Sequence, residues 1–162
     1  MLIKRVIINS SPLIVLFKSQ QAELLPQLFS EILVPAGVWD EITAAGQNDA
    51  AARELSSVTW AQRVEIGNIA PEVAGWDLGK GKSEVLSLAL NNPDCAAIID
   101  DRAARRCSQS LSITTIGTGR LIILAKQRGL IPLVSPRIQA LRDAGLWLSD
   151  HLVNLLKIQA GE

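Results

Sequence analysis

Short apolar runs at Ile3 to Ile8, Glu31 to Val34, Ala96 to Ile99 and Ile113 to Ile116 alternate with stretches of helical spacing, and no other feature constrains the chain as strongly. Runs this apolar do not switch sides residue by residue, so they fit strands buried on both faces of a parallel sheet. Parallel neighbours need crossover connections, and helices then cover the faces. The expected architecture is α/β, a central parallel sheet with helices on both faces, and ligands in such sheets sit at the carboxyl ends of the strands. Val58 to Ile66 reads as a further strand or a hairpin edge.

The intervening segments carry helix signals. Ser11 can cap a helix with Pro12 at its first position, followed by the apolar face of Leu13, Ile14, Leu16 and Phe17. Ala22 to Phe29 reads as helical, Pro35 opens a helix through Val38, Trp39 and Ile42 that Gly46 and Asn48 stop, and Asp49 to Leu55 follows. Ser83 to Leu90, Arg102 to Ser110 and Thr118 to Arg128 are further helices, whereas Gly67 to Gly81 reads as a surface loop. Past Gly129 the strand signal stops. Ile138 to Ala144 and Leu152 to Ile158 form an amphipathic helical tail over about residues 130–162.

With 162 residues, 48% hydrophobic and 20% charged, one domain over residues 1–162 can bury its own core without staples. The longest apolar runs, Leu13 to Phe17 and Leu121 to Ala125, fall well short of the roughly 20 residues of a membrane span, so no membrane association is expected and a cytoplasmic location is. Cys95 and Cys107 lack the spacing of a redox or zinc motif and read as reduced thiols. His151 is the only histidine, which argues against a His-based zinc site and His-dependent nucleophilic catalysis. Any metal must be held by oxygen. Lys plus Arg equals Asp plus Glu at 16 each, so a nucleic-acid partner would need a local basic patch.

Polar residues gather just past the strands: Asn9-Ser10-Ser11, Asp100-Asp101-Arg102, and Thr114-Thr115 to Thr118. The adjacent carboxylates after the apolar Ala96 to Ile99 either face a cation or solvent, or one caps the helix from Arg102 while the other is solvated. Glu84 lies in a first helical turn, where the backbone dipole alone favours a carboxylate. Glu41 reads equally as a solvated helix position. Gly79-Lys80-Gly81-Lys82-Ser83 is not a phosphate loop, because Trp76 stands where that motif needs glycine and no strand precedes it. Its glycines let the chain turn into the helix of Glu84. Arg102 shares a helix face with Arg105 or Arg106, as phosphate contacts or as a solvated surface.

Val6 through Ile14, Val34-Pro35 through Glu41, Gly81 through Glu84 with Leu86 and Ala89, and Ile98 through Arg102 together resemble a PIN domain. The resemblance extends through Gly117-Thr118-Gly119 to the helical tail, and points to the bacterial and archaeal branch related to toxins of toxin-antitoxin pairs. It implies a three-layer PIN-like fold and a Mg²⁺- or Mn²⁺-dependent ribonuclease that hydrolyses phosphodiesters, forms a homodimer and is neutralised by an antitoxin. By the same likeness Glu41, Glu84 and Asp101 match the acids, Asn9 replaces the usual first Asp, Asp100 is a further candidate ligand, and Ser11 and Thr118 play supporting roles. Arg102, Arg105 and Arg106 are the RNA-binding candidates. The alternative is a catalytically weakened PIN-like module that binds RNA or a protein partner.

Overall fold

The computed structural model describes residues 2–44 and 46–162. Its centre is a five-stranded, wholly parallel sheet of β1 (Arg5–Ile8), β2 (Glu31–Pro35), β3 (Ala61–Val64), β4 (Cys95–Ile98) and β5 (Thr115–Ile116), in the spatial order β3-β2-β1-β4-β5. Central β1 pairs Val6 with Ile32 on one side and with Ala96 on the other. Val6, Ile7 and Ile8 are fully buried, as a strand covered on both faces requires. Each such side chain contributes roughly 1.5–3 kcal/mol through the apolar area it removes from water.

Between strand-like and hairpin-like readings of residues 58–66, the structure selects a parallel edge strand shorter than the run itself. Gln62 and Arg63 are exposed there, and Arg63 pairs with Asp40 and Glu65, so the open edge is charged.

Helices surround the sheet: α1 (Ser10–Lys18), α2 (Leu24–Leu28), α3 (Ala36–Thr43), α4 (Ala50–Glu54), α5 (Pro71–Ala74), α6 (Lys80–Asn91), α7 (Arg102–Ser110), α8 (Thr118–Gln127), α9 (Ser135–Asp143) and α10 (Asp150–Gln159). Three local expectations are corrected. The N-cap of α1 is Asn9 rather than Ser11, because the helix begins as soon as β1 ends. The segment expected as a loop from Gly67 contains α5, opened by Pro71 in the position that needs no N–H. Helix α6 starts at Lys80, before Ser83, since Gly79 at φ +88° makes the turn in a left-handed backbone region that other residues rarely adopt.

From β1 the chain runs outward through β2 to β3, then crosses back to lay β4 and β5 on the other side of β1. That reversal opens a crevice beyond the carboxyl ends of β1 and β4. The C-terminal helices pack on α8, where a Cβ at Gly119 would come within 2.8 Å of Leu156 Cδ1. A small residue is needed for that approach. Among the described residues no helix is long and apolar enough to cross a membrane.

Candidate functional site at the carboxyl edge of the sheet

Asn9 follows β1 directly, and its N–H donates to the carbonyl of Ile98 at 3.1 Å, which ties the end of β1 to β4. Its side chain is 2% exposed and lines a cleft of about 330 Å³ with Ser10, Ser11, Gly37 and Glu41. Leu78 to Lys82 close the other side. The absence of a side chain at Gly81 shapes this cleft. A Cβ there would lie 3.2 Å from Glu41 Oε2 and 4.0 Å from Asn9 Oδ1, so two oxygen donors from α3 and the end of β1 converge on the same space.

Glu84 does not line this cleft but an adjoining one with Ile66 to Ile69 and Lys80. It is 5% exposed, and its Oε1 accepts a 3.0 Å hydrogen bond from the N–H of Gly37. That N–H lies in the first turn of α3 and has no partner within its own helix, so a carboxylate from α6 completes the N-terminus of α3. The contact is close: a Cβ at Gly37 would fall 2.4 Å from Glu84 Oε2.

Asp101 is the N-cap of α7, accepting from the Ala104 N–H at 2.9 Å, while its other oxygen accepts from Lys82 Nζ at 3.2 Å. The Ala104 N–H and, after it, the Lys82 ammonium hold this carboxyl below its ordinary range against the opposing effect of partial burial. Asp101 therefore reaches the Asn9–Glu41 cleft through Lys82, which lines it. Asp100 goes elsewhere: its oxygens accept from the Thr118 N–H at 2.9 Å and the Thr118 hydroxyl at 2.6 Å. Of the two readings for the pair, one carboxylate does cap the helix, but the other is bonded rather than solvated. Thr118 is fully buried and bonds Asp100; Ser11 is exposed at the cleft.

Arg102, Arg105 and Arg106 line a different groove, of about 830 Å³, together with Asp100, Trp147 and Leu152. The expected site residues thus divide. Asn9, Ser11 and Glu41 share one cleft, Asp101 joins it through Lys82, Glu84 buttresses it through Gly37, and Asp100 with the arginines belongs to the second groove. Sequence reasoning missed Lys82. The signal was in Gly79-Lys80-Gly81-Lys82-Ser83, where rejecting the phosphate loop left its lysines without a role.

Among the described residues no three His, Cys, Asp or Glu side chains already form a metal-binding group. The donors nevertheless suit a hard divalent cation in kind, being carboxylates and an amide oxygen without thiol or imidazole. The space left by Gly81 is where two of them converge. A family model described as a PIN domain matches residues 5–162. Among curated proteins none matches the chain.

Proposed function

The chain belongs to the PIN-domain family, and from that premise we propose that it is a metal-dependent ribonuclease, a toxin of a toxin-antitoxin pair or a relative of one. The observation that carries this reading is the convergence of Asn9 Oδ1 and Glu41 Oε2 over Gly81, with Asp101 joined to the same cleft by Lys82. Asn9, Glu41 and Asp101 would hold Mg²⁺ or Mn²⁺, and Glu84 would fix the α3 backbone that carries Glu41. Bound there, the cation would supply charge to the phosphodiester and make water more acidic. The chain's own groups orient the phosphate: Lys80 and Lys82 offer ammonium donors along the cleft, and Ser11 a hydroxyl. Hydrolysis adds water across one P–O bond, and the departing oxygen leaves with the proton.

Exposed Leu152, Leu155 and Ile158 along α10 support a protein contact on the tail, whether with a second copy or with an antitoxin, and we place this activity in the cytoplasm. A fluorogenic RNA cleaved with Mn²⁺, but neither after chelation nor by Glu41→Gln and Asp101→Asn, supports the nuclease. Cleavage that survives chelation and both substitutions refutes it.

A second reading is favoured by the charge count in the cleft. Asn9 is neutral, and Lys82 is already paired with Asp101, which suits a catalytically weakened module that binds RNA or a protein partner. In that case Glu84→Gln leaves RNA binding intact, while combined substitution of Arg102 and Arg105 abolishes it.

A further inference from the structure

Trp147 is 83% exposed, the most exposed of the large apolar side chains among the described residues. Its neighbours hold it there. Leu148 is buried, Leu146 is half-buried with its N–H bonded to the Leu141 carbonyl at 3.0 Å, and Arg142 donates to the Leu148 carbonyl. The loop between α9 and α10 is therefore pinned on both sides of the indole, which stands out over the groove of about 830 Å³. A solitary exposed apolar side chain is common on protein surfaces, so Trp147 takes its meaning from what faces it across the groove.

Across the groove, α7 presents Arg102, Arg105 and Arg106, spaced by three and four residues so that they share one side of the helix. All three are exposed, and among the described residues none takes part in a salt bridge. In a chain of zero net charge this is a local concentration of uncompensated cations. Asp100, the one acid among the described residues lining the groove, is occupied by Thr118, and Arg105 Nη1 approaches the same point beside Gly117, 3.3 Å from where a Cβ would stand against 3.4 Å for Asp100 Oδ1. Asp100 also immediately precedes Asp101, so the groove starts at the strand end that carries the candidate site.

We propose that this groove is a track for single-stranded RNA, with phosphates on Arg102, Arg105 and Arg106 and an unpaired base stacked on Trp147. The inference rests on the nuclease reading for its polarity, since the strand leaves the Asp101 side of the sheet toward Trp147. An indole held in solvent offers a stacking face to any base, but only to one not already paired within a duplex. Exposed guanidinium groups present a planar fork of N–H donors that matches phosphate oxygens.

The test is fluorescence anisotropy of the full chain with a fluorescein-labelled single-stranded RNA, in chelator so that nothing is cut, across a salt series. Trp147→Ala is expected to weaken binding about tenfold and Trp147→Phe to restore most of it, given the stacking energies of single bases. Arg102→Ala with Arg105→Ala is expected to weaken binding further and to reduce the salt slope by about 1.4, for two phosphate contacts on a single strand. Binding by Trp147→Ala equal to wild type overturns the track. So does duplex RNA bound as tightly as single-stranded RNA, or loss in Trp147→Ala of a co-purifying protein with RNA affinity unchanged, which would make the groove a protein interface. Wild-type cleavage with an indifferent Trp147→Ala removes the track alone; groove binding without any cleavage removes the nuclease alone; neither binding nor cleavage removes both.

Discussion

Lys82 Nζ lies 3.2 Å from Asp101 Oδ1, so a cation from the first turn of α6 already occupies one of the carboxylate oxygens that a divalent metal would use. Both side chains are about one-third exposed, which limits the worth of the pair through solvent screening. On the proposed reading a metal ion would displace this ammonium, which would then be free to meet a phosphate.

Lys82→Met is accordingly expected to raise Mn²⁺ affinity by about two- to fivefold, the equivalent of roughly 0.5–1 kcal/mol for a part-exposed ion pair. RNA cleavage should fall in the same variant, because the proposed phosphate contact would be lost. Calorimetric titration read beside cleavage separates the two effects, and unchanged affinity would show that Lys82 does not compete with metal.

Gly37 has no room for a side chain. A methyl group there would come within 2.4 Å of Glu84 Oε2 and 2.9 Å of Glu84 Cδ, and the buried carboxylate has little freedom to retreat. Gly37→Ala is expected to cost about 1–3 kcal/mol in urea unfolding, as overpacking does. Combining it with Glu84→Ala should cost less than the sum of the two single changes, since the second removes the clash created by the first.

Asp101 sets a pH dependence. Its carboxyl is held below the ordinary value of about 4 in the folded chain by the Ala104 N–H and by Lys82, so folding favours the charged form. The resulting stabilisation is complete above that ordinary value and is lost as pH falls through the lower folded value. Asp101→Asn keeps a capping oxygen but no charge. The stability difference between wild type and this variant should therefore be largest near neutrality and shrink below about pH 4. A difference that stays constant down to pH 3 would contradict the assignment.

Much of this arrangement was legible in the residues themselves. The apolar runs announced a parallel sheet because burial on both faces leaves no room for polar alternation, and Arg102–Ser110 was readable end to end because an acidic cap and a regular polar face mark it. Position 61–64 was ambiguous because an edge strand is only half covered and so carries a diluted pattern. The division of labour between Asp100 and Asp101 could not be read locally: it depends on Thr118 and Lys82, partners distant in sequence that only the sheet topology brings near. Lys82 and Trp147 were missed for the same reason, since a lysine near a helix start and a tryptophan in a tail acquire meaning only from what faces them.

Asn9 offers the most direct test of a cation site at the carboxyl ends of β1 and β4. Calorimetric titration of Mn²⁺ into wild type, Asn9→Asp and Asp101→Asn should give affinities in the order Asn9→Asp, then wild type, then Asp101→Asn, because each step removes one negative charge from the same donor set. Three indistinguishable titrations, or no binding in any of the three, would contradict it.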